Sequence, residues 1–218
     1  DRLLIRTRQK LLSDFIRCKW RIKSHLIFFG VVIPPEMDKP YWSKAFRKWL
    51  RTNLFKGSGQ VLIQAQLDEL ESIENQKKII EKQIVVLAKE KYNEQVYLLR
   101  SIAGIGLLAA MTLIVELVDI KRFKTADQMH SFLGVIPNVY ASGDIEKVRG
   151  ITKRHNTFLR SILVQAAWRS ARLDPAMMLA YNKLSKTMKS NKAIIRIAKK
   201  LSNRVRYVLK KQLPYQNL

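Results

Sequence analysis

Acidic residues are scarce in this chain: 17 Asp and Glu stand against 41 Lys and Arg in 218 residues, a formal net charge of +24. With 47% hydrophobic residues the chain has enough apolar side chains to fold, which excludes a disordered basic tail. So strong a positive charge indicates a polyanionic partner. Nucleic acid is the first expectation, and an anionic membrane surface is the second.

Cysteine, histidine and long apolar runs are also rare. The single cysteine, Cys18, excludes an internal disulfide and favours a reducing, cytoplasmic setting. Three scattered histidines have no ligand spacing, so no metal site is expected. The longest apolar run, 102–115, is too short and too broken to span a bilayer, and no membrane partner is predicted. Because the chain begins at Asp1 and its first methionine is Met37, we expect a fragment of a longer protein.

Helical periodicity dominates the sequence, and no convincing strand pattern is present, so an all-α fold is predicted. Thr125 and Asn156 are expected as N-caps, and Asp174 followed by Pro175 begins a further helix. Gly30 and the proline-rich stretch 33–40 break the chain after the first helix. The predicted helices cover residues 3–29, 41–54, 60–100, 107–117, 125–134, 156–173, 175–188 and 191–212.

The segment 60–100 is predicted as one long helix with a coiled-coil seam. Apolar residues follow a 3–4 repeat over about four heptads, which is typical of coiled coils and favours self-association into a homo-oligomer. The alternative is a helix packed on its own domain. Two domains are predicted, a helical linker and coiled-coil region at 1–100 and a compact helical domain at 101–218. The seam consists of Ile63, Leu70, Ile73, Ile80, Ile84 and Leu87, with Gln66 and Lys77 as polar members.

The stretch "AGIG", 103–106, followed by an apolar helix, is typical of a helix-hairpin-helix turn. Gly104 and Gly106 permit a tight turn whose backbone N–H groups point outward, and the next helix adds the positive end of its dipole. Such a turn holds a DNA phosphate without reading bases. The alternative is an ordinary glycine turn between two helices.

Ser142 stands beside Gly143 in "YASGDIEKVRGITKRHN", residues 140–156. Its position alone indicates a turn hydroxyl. The cations around it favour a nucleophile that attacks a phosphodiester, because positive charge stabilises the phosphate oxygens during attack. The alternative is a basic loop that only binds the DNA backbone. The cations of this stretch and the following helix are Lys147, Arg149, Lys153, Arg154 and Arg160.

No carboxylate pair is suited to two-metal phosphoryl transfer. Glu116 and Asp119 lie one turn apart and are interpreted as residues of a solvated helix end. Asp144 and Glu146 flank Ser142 and are interpreted as capping its loop. The chain is therefore expected to bind no metal itself.

Residues 99–168 contain a series of short elements, in chain order Gly104-Ile105-Gly106, Arg122-Phe123, Leu133-Gly134, Pro137, Ser142-Gly143, Gly150-Ile151-Thr152-Lys153, Asn156, Leu159-Arg160 and Ala166-Ala167. Together, at these spacings, they resemble the C-terminal domain of the insertion-sequence-110 class of DEDD transposases, which are related to the Piv pilin-gene invertases. Residues 4–31 resemble the helix that follows the N-terminal domain in this family.

The resemblance implies a two-part active site. In this family an N-terminal RuvC-like domain supplies four acidic residues that bind magnesium, and the C-terminal domain supplies a serine, matched by Ser142, that joins covalently to DNA. Some members use a structured guide RNA, and the long helical segment is associated with dimers. Since no such acidic domain lies in this chain, we expect the magnesium in a missing domain and no catalysis by the chain alone. The alternatives are a non-catalytic nucleic-acid-binding remnant of a transposase and a structural coiled-coil protein.

Overall fold

The computed structural model describes residues 1–39, 41–52, 55–142, 145–151 and 156–216, and between 137 and 151 it describes the backbone alone. This described part is built mainly of helices, which confirms the all-α prediction. A 3-10 turn, Ile120–Arg122, follows the fifth helix. The α-helices are α1 Arg2–Phe28, α2 Lys44–Arg51, α3 Ser58–Glu90, α4 Asn93–Arg100, α5 Leu107–Leu117, α6 Ala126–Leu133, α7 Thr157–Leu173, α8 Pro175–Ser185 and α9 Ser190–Lys211.

The prediction of one helix over 60–100 is wrong in its C-terminal quarter. The helix α3 ends at Glu90, and α4 starts at Asn93 after a two-residue break. The Lys91 ammonium and the Tyr92 hydroxyl both bind the Asp1 carboxylate, each at 2.7 Å. Because these contacts come from the other end of the sequence, helical periodicity could not reveal the break.

One antiparallel hairpin is present in the described residues in addition to the helices. Its strands are β1, Pro137–Ser142, and β2, Ile145–Ile151. The register pairs Asn138 with Arg149 and Pro137 with Ile151, so Gly150 is the extra residue of a β-bulge. The sequence analysis missed this hairpin because its strands are short, lack regular apolar alternation and contain Pro137 and Gly150.

The chain divides into two compact units, Leu3–Gln83 and Ile84–Leu218 together with Asp1–Arg2. We call them the N-terminal unit and the C-terminal unit. The boundary lies within α3, whereas the predicted domains 1–100 and 101–218 stay a prediction. No helix in the described residues is both long enough and apolar enough to cross a membrane.

In the N-terminal unit, α1 and α3 run antiparallel. The Arg8 guanidinium binds Glu81 near one end of the pair, and Arg21 binds Glu69 further along. Beside the second pair, the buried Cys18 thiol donates to the backbone carbonyl of Gln66. The core contains side chains from all three helices and from the connections before and after α2: Cys18, Ile22, Leu26, Trp42, Phe46, Leu50, Phe55, Ile63, Leu67 and Leu70.

This core occupies the first half of the predicted coiled-coil seam. Ile63 and Leu70 are both completely buried among α1 and α2 side chains, and Ile73 packs on the same cluster. Here the alternative interpretation, a helix packed on its own domain, describes the seam. Self-association through 60–100 stays a prediction, and it would use another side of α3.

In the C-terminal unit, α7 packs against α5, α8 and α9. The apolar side of α9 is buried along most of its length, from Ala193 to Leu209. The predicted helix starts are confirmed: Thr125, Asn156 and Asp174 each accept a hydrogen bond from a backbone N–H in the first turn of the following helix. These caps set where α6, α7 and α8 begin.

Candidate nucleic-acid interface

Ser142 is the last residue of β1 and pairs in register with Ile145 at the end of the hairpin. Two further pairs, Tyr140 with Lys147 and Asn138 with Arg149, are spaced two residues apart along each strand. Because alternate residues of a strand share a face, Ser142, Lys147 and Arg149 belong to the same face of the hairpin. At about 3.4 Å per residue, Lys147 is the cation position nearer to Ser142 on this face.

The remaining predicted cations are distributed on both sides of the α7 start. Lys153 and Arg154 lie outside the described residues. Arg160 lies in the first turn of α7, half-buried, and its backbone N–H bonds the Asn156 carbonyl at 3.0 Å. Arg149 in β2 and Arg160 in α7 therefore lie on either side of the predicted basic loop.

The start of α7 is fixed by a buried carboxylate. The Asn156 side chain caps α7 by accepting from Leu159 N–H at 3.1 Å, and its Nδ2 donates to Glu116 Oε2 at 3.1 Å. Glu116 is only 2% exposed, and the Arg2 guanidinium lies 3.8 Å from the same oxygen. The interpretation of Glu116 as a solvated helix-end residue is wrong, because it connects the end of α5 to the start of α7.

The two glycines of the "AGIG" turn have different surroundings. Gly104 has φ +96°, and a Cβ built there would lie 2.6 Å from both the Ala166 carbonyl oxygen and the Ser170 nitrogen. Only glycine permits this close approach of the turn to α7. Gly106 is exposed, forms the N-cap of α5 and has open space around its Cβ position. Packing therefore accounts for Gly104, whereas Gly106 is free to face a ligand.

The turn and the hairpin side of the interface lie at opposite ends of α5. Gly104, before α5, contacts α7 at Ala166 and Ser170, whereas Glu116, at the end of α5, contacts Asn156 before α7. The two helices therefore run antiparallel. Since the eleven residues of α5 span about 16 Å, Gly106 and the start of α7 cannot bind the same phosphate.

The described residues contain no group of three or more His, Cys, Asp or Glu side chains placed to hold a metal ion. The magnesium that the resemblance implies therefore does not fit the side chains described here.

Sequence reasoning missed the buried partners of two carboxylates in the C-terminal unit, Glu116 and Asp174. Glu116 had one usable signal, a single charge inside the apolar stretch that ends α5, since such a charge is buried only when it is paired. Asp174 was recognised as the start of α8, but its second partner, Arg204, comes from α9, 30 residues later in the chain. No local pattern indicates that pairing.

A family model described as "Transposase IS116/IS110/IS902 family" matches residues 96–182. The match begins in α4, includes α5, the hairpin and α7, and ends in α8. It contains the turn, Ser142 and the cations that the sequence singled out. The resemblance stated from the sequence is confirmed for this segment.

Curated relatives point the same way. Over 80 residues, 37% of this chain, it is 36% identical to the transposase for insertion sequence element IS1111A of Coxiella burnetii and covers 22% of that protein. Over 166 residues, 76% of this chain, it is 25% identical to a protein of Sinorhizobium fredii named as transposase y4qE and covers 39% of it. The chain thus spans well under half the length of these two relatives.

Proposed function

We propose that this chain is the C-terminal part of a DNA transposase, because residues 96–182 match a family model described as "Transposase IS116/IS110/IS902 family". It binds DNA and supplies Ser142 as the nucleophile for strand cleavage and exchange. The observation that carries the proposal is the hairpin register, in which Ser142 shares a face with Lys147 and Arg149. A serine and two cations on one face form an arrangement suited to a phosphodiester.

In the proposed step, Ser142 Oγ attacks the phosphorus of a DNA phosphodiester. A bond forms between Oγ and phosphorus, and the bond from phosphorus to the departing strand oxygen breaks. The hydroxyl proton leaves to solvent, and the departing oxygen takes up a proton. The covalent serine–phosphate ester conserves the energy of the broken bond, so the reverse attack by another strand end completes the exchange.

The cations have separate roles in this proposal. Lys147, the nearer position in register, stabilises negative charge on the attacked phosphate, and Arg149 binds the backbone further along the strand. Lys153, Arg154 and Arg160 extend the contact toward α7. Gly106 contacts a different phosphate through the N-terminus of α5, about 16 Å away from the start of α7.

The proposal includes two further partners. A structured guide RNA is the second nucleic acid, and the net charge of +24 is compatible with binding both. The chain is a homo-oligomer that associates through α3. Val61 and Ile79, 70% and 61% exposed, lie 18 residues apart and so share one side of α3, away from the buried Ile63 and Leu70.

The oligomer is tested by the molar mass in sedimentation equilibrium. Ile79→Lys should shift the chain to monomer, whereas Asn182→Lys, an equal charge change at an exposed position of α8, should not. A wild-type chain that is already monomeric at micromolar concentration contradicts this part of the proposal.

The nucleophile is tested by covalent attachment. The chain is mixed with labelled ends of its element's DNA, the acidic domain of a relative in trans, magnesium and any RNA the element encodes. A DNA adduct that survives denaturation is expected, and peptide mapping should locate it at Ser142. The adduct should disappear in Ser142→Ala with DNA binding unchanged, and it should persist in Ser161→Ala, a control at an exposed serine of α7.

Two outcomes contradict the assignment. An adduct that survives Ser142→Ala identifies another nucleophile. DNA binding without any adduct, under conditions in which a full-length relative reacts, supports the alternative of a non-catalytic DNA-binding remnant.

A further inference from the structure

The exposed side of α9 is basic and carries no carboxylate. Six exposed residues follow one another at steps of four, four, three, four and three, so they form a single stripe along the helix. The opposite side supplies the core, including Ile197, Leu201 and Val205, each with no exposed surface. The α9 stripe consists of Lys192, Arg196, Lys200, Asn203, Tyr207 and Lys210.

The positive charge of the stripe is not neutralised by neighbouring acids. No Asp or Glu occurs anywhere from residue 175 to 218. Among the described residues, no carboxylate lies within 4.0 Å of the cationic groups of Lys192, Arg196, Lys200 or Lys210. At the edge of the stripe, Lys199 lies 3.8 Å from Asp127 of α6.

Other cations of α9 have structural partners, which separates them from the stripe. Arg204 binds the buried Asp174 and stacks on the Tyr215 ring at 4.4 Å, and Arg206 donates to the Lys124 carbonyl at 3.2 Å. These two side chains hold the helix in the unit. The stripe cations hold no described element in place, so folding does not account for their position.

Concentrating one sign of charge on a helix face has a cost. Lys192, Arg196 and Lys200 are four residues apart, and like charges at this spacing repel each other and destabilise the helix. In α3, by contrast, Lys77 and Lys78 each have a glutamate at this spacing, Glu81 and Glu74. Such a face is expected where a bound polyanion supplies the negative charge that offsets this repulsion.

We propose that the α9 stripe is a second DNA-binding surface, one that contacts the phosphate backbone of duplex DNA independently of sequence. The stripe from Lys192 to Lys210 is about 27 Å long, which matches several successive phosphates. A straight helix enters the major groove of B-form DNA, whereas the deep, narrow groove of A-form RNA excludes it. Two polar groups interrupt the cations. Asn203 bonds His130 Nε2 through its Oδ1 at 2.8 Å, which leaves its Nδ2 to donate to a phosphate, and the half-exposed Tyr207 ring can stack on sugar. The choice of DNA over other polyanions rests on the proposed function.

The test is equilibrium binding of the full chain, carrying Ser142→Ala, to a labelled duplex of arbitrary sequence over a series of salt concentrations. The triple variant Lys192→Gln, Arg196→Gln and Lys200→Gln should bind at least about tenfold more weakly near 100 mM salt, and its log–log salt slope should fall by about two to three. The matched control removes three exposed lysines elsewhere, Lys10, Lys82 and Lys89, with little change in slope. A Lys192→Arg, Arg196→Lys, Lys200→Arg variant should bind like the parent.

Circular dichroism of each variant checks that α9 still folds. Equal losses in the stripe variant and the control overturn the proposal, because a general charge effect then accounts for both. A loss confined to an RNA duplex or to anionic vesicles, with DNA affinity unchanged, overturns it as well. Since Ser142 is absent from every variant, a failure of the covalent step leaves this result intact, and the two proposals can fail separately.

Discussion

The two units of the chain use their cations differently. In the N-terminal unit, arginines connect one helix to another: Arg8 binds Glu81, Arg21 binds Glu69, and Arg47 binds Glu74. In the C-terminal unit, the segment 175–218 has no acidic residue. Among the described residues, the cations of its α9 stripe therefore have no carboxylate partners, whereas these three arginines of the N-terminal unit do.

This difference indicates which part of the net charge of +24 is available to attract a polyanion. Cations that already have carboxylate partners add little attraction for a polyanion, since their field is cancelled at short range. The C-terminal unit has a buried ion pair, Arg204 with Asp174, and more exposed pairs, Lys91 with Asp1 and Lys199 with Asp127. Among the described residues, the cations of its α9 stripe have no such partner. Substitutions can test whether the buried contacts of the C-terminal unit contribute more to stability than the more exposed ion pairs of the N-terminal unit.

The largest effect is expected at the buried pair of Asp174 and Arg204. Asp174 is 1% exposed, caps α8 through Met177 N–H at 2.8 Å and binds the Arg204 guanidinium at 2.5 Å. Asp174→Asn should destabilise the C-terminal unit by about 3–5 kcal/mol, because Arg204 is left without its countercharge. Hydrogen exchange of α8 and α9 measures this loss. Asp127→Asn, at an exposed aspartate, should change exchange little.

The same pair predicts a pH dependence. Burial alone raises the pKa of the Asp174 carboxyl, but the hydrogen bonds from Arg204 and from the Met177 and Ala176 backbone outweigh it and hold the pKa below its ordinary value. The stabilisation is therefore present above about pH 3.9, the unfolded pKa, and is lost as the pH falls through the folded pKa. The difference between wild type and Asp174→Asn should shrink in that acidic range. A difference that stays constant down to pH 2 contradicts the paired carboxylate.

The next effect is expected at the glycine turn. Gly104→Ala combines a positive φ with a Cβ 2.6 Å from two backbone atoms of α7, so it should destabilise the C-terminal unit by about 2–4 kcal/mol. Gly106→Ala meets no atom within 4 Å and should stay within about 0.5 kcal/mol of wild type. Hydrogen exchange of α5 and α7 compares the two. If the Gly104→Ala chain has normal stability but binds DNA more weakly, the packing role of Gly104 is contradicted and a DNA contact is supported.

The sequence predicted most of the helices because their signals are local. Apolar periodicity and the caps Thr125, Asn156 and Asp174 depend on residues within one or two turns. At the break after Glu90, Lys91 and Tyr92 bind Asp1 from the other end of the sequence, and the hairpin is formed by pairing between strands without apolar alternation. These features are set by contacts distant in sequence or by main-chain pairing, and side-chain periodicity does not encode them.

The candidate site was predicted in its residue types more than in its arrangement. Ser142, Lys147 and Arg149 were chosen as members of one basic stretch, and the register brings them to one hairpin face. Gly104 was chosen as a phosphate contact, but its close approach to α7 gives it a packing role. A glycine needed for close packing and a glycine needed for a ligand have the same sequence signal.

A smaller effect is expected at Glu116, which is buried like Asp174, accepts a hydrogen bond from the Asn156 amide and lies 3.8 Å from the partly exposed Arg2 guanidinium. Glu116→Ala removes the acceptor of Asn156 Nδ2 and should destabilise the start of α7 by about 1–3 kcal/mol. Glu116→Gln keeps an acceptor oxygen and should lose less. Hydrogen exchange of the first α7 turn measures both, with Glu94→Ala at an exposed position of α4 as control. Equal losses for Ala and Gln would mean that the charge, and not the acceptor, holds Asn156.

The smallest effects are expected for the pairs of the N-terminal unit. Arg47 and Glu74 lie 2.6 Å apart with both side chains partly buried, and the hydrogen bond from Arg47 lowers the pKa of Glu74. A double-mutant cycle of Arg47→Gln and Glu74→Gln should give a coupling of about 1 kcal/mol, and the more exposed pair Arg21 and Glu69 about 0.3 kcal/mol. Urea unfolding is followed by tryptophan fluorescence with Trp168→Phe throughout, because the three remaining tryptophans, Trp20, Trp42 and Trp49, all lie in the N-terminal unit. A coupling above about 3 kcal/mol for either pair would contradict the expected order of effects, because the stability of the N-terminal unit would then depend on its charges as strongly as α8 and α9 depend on Asp174.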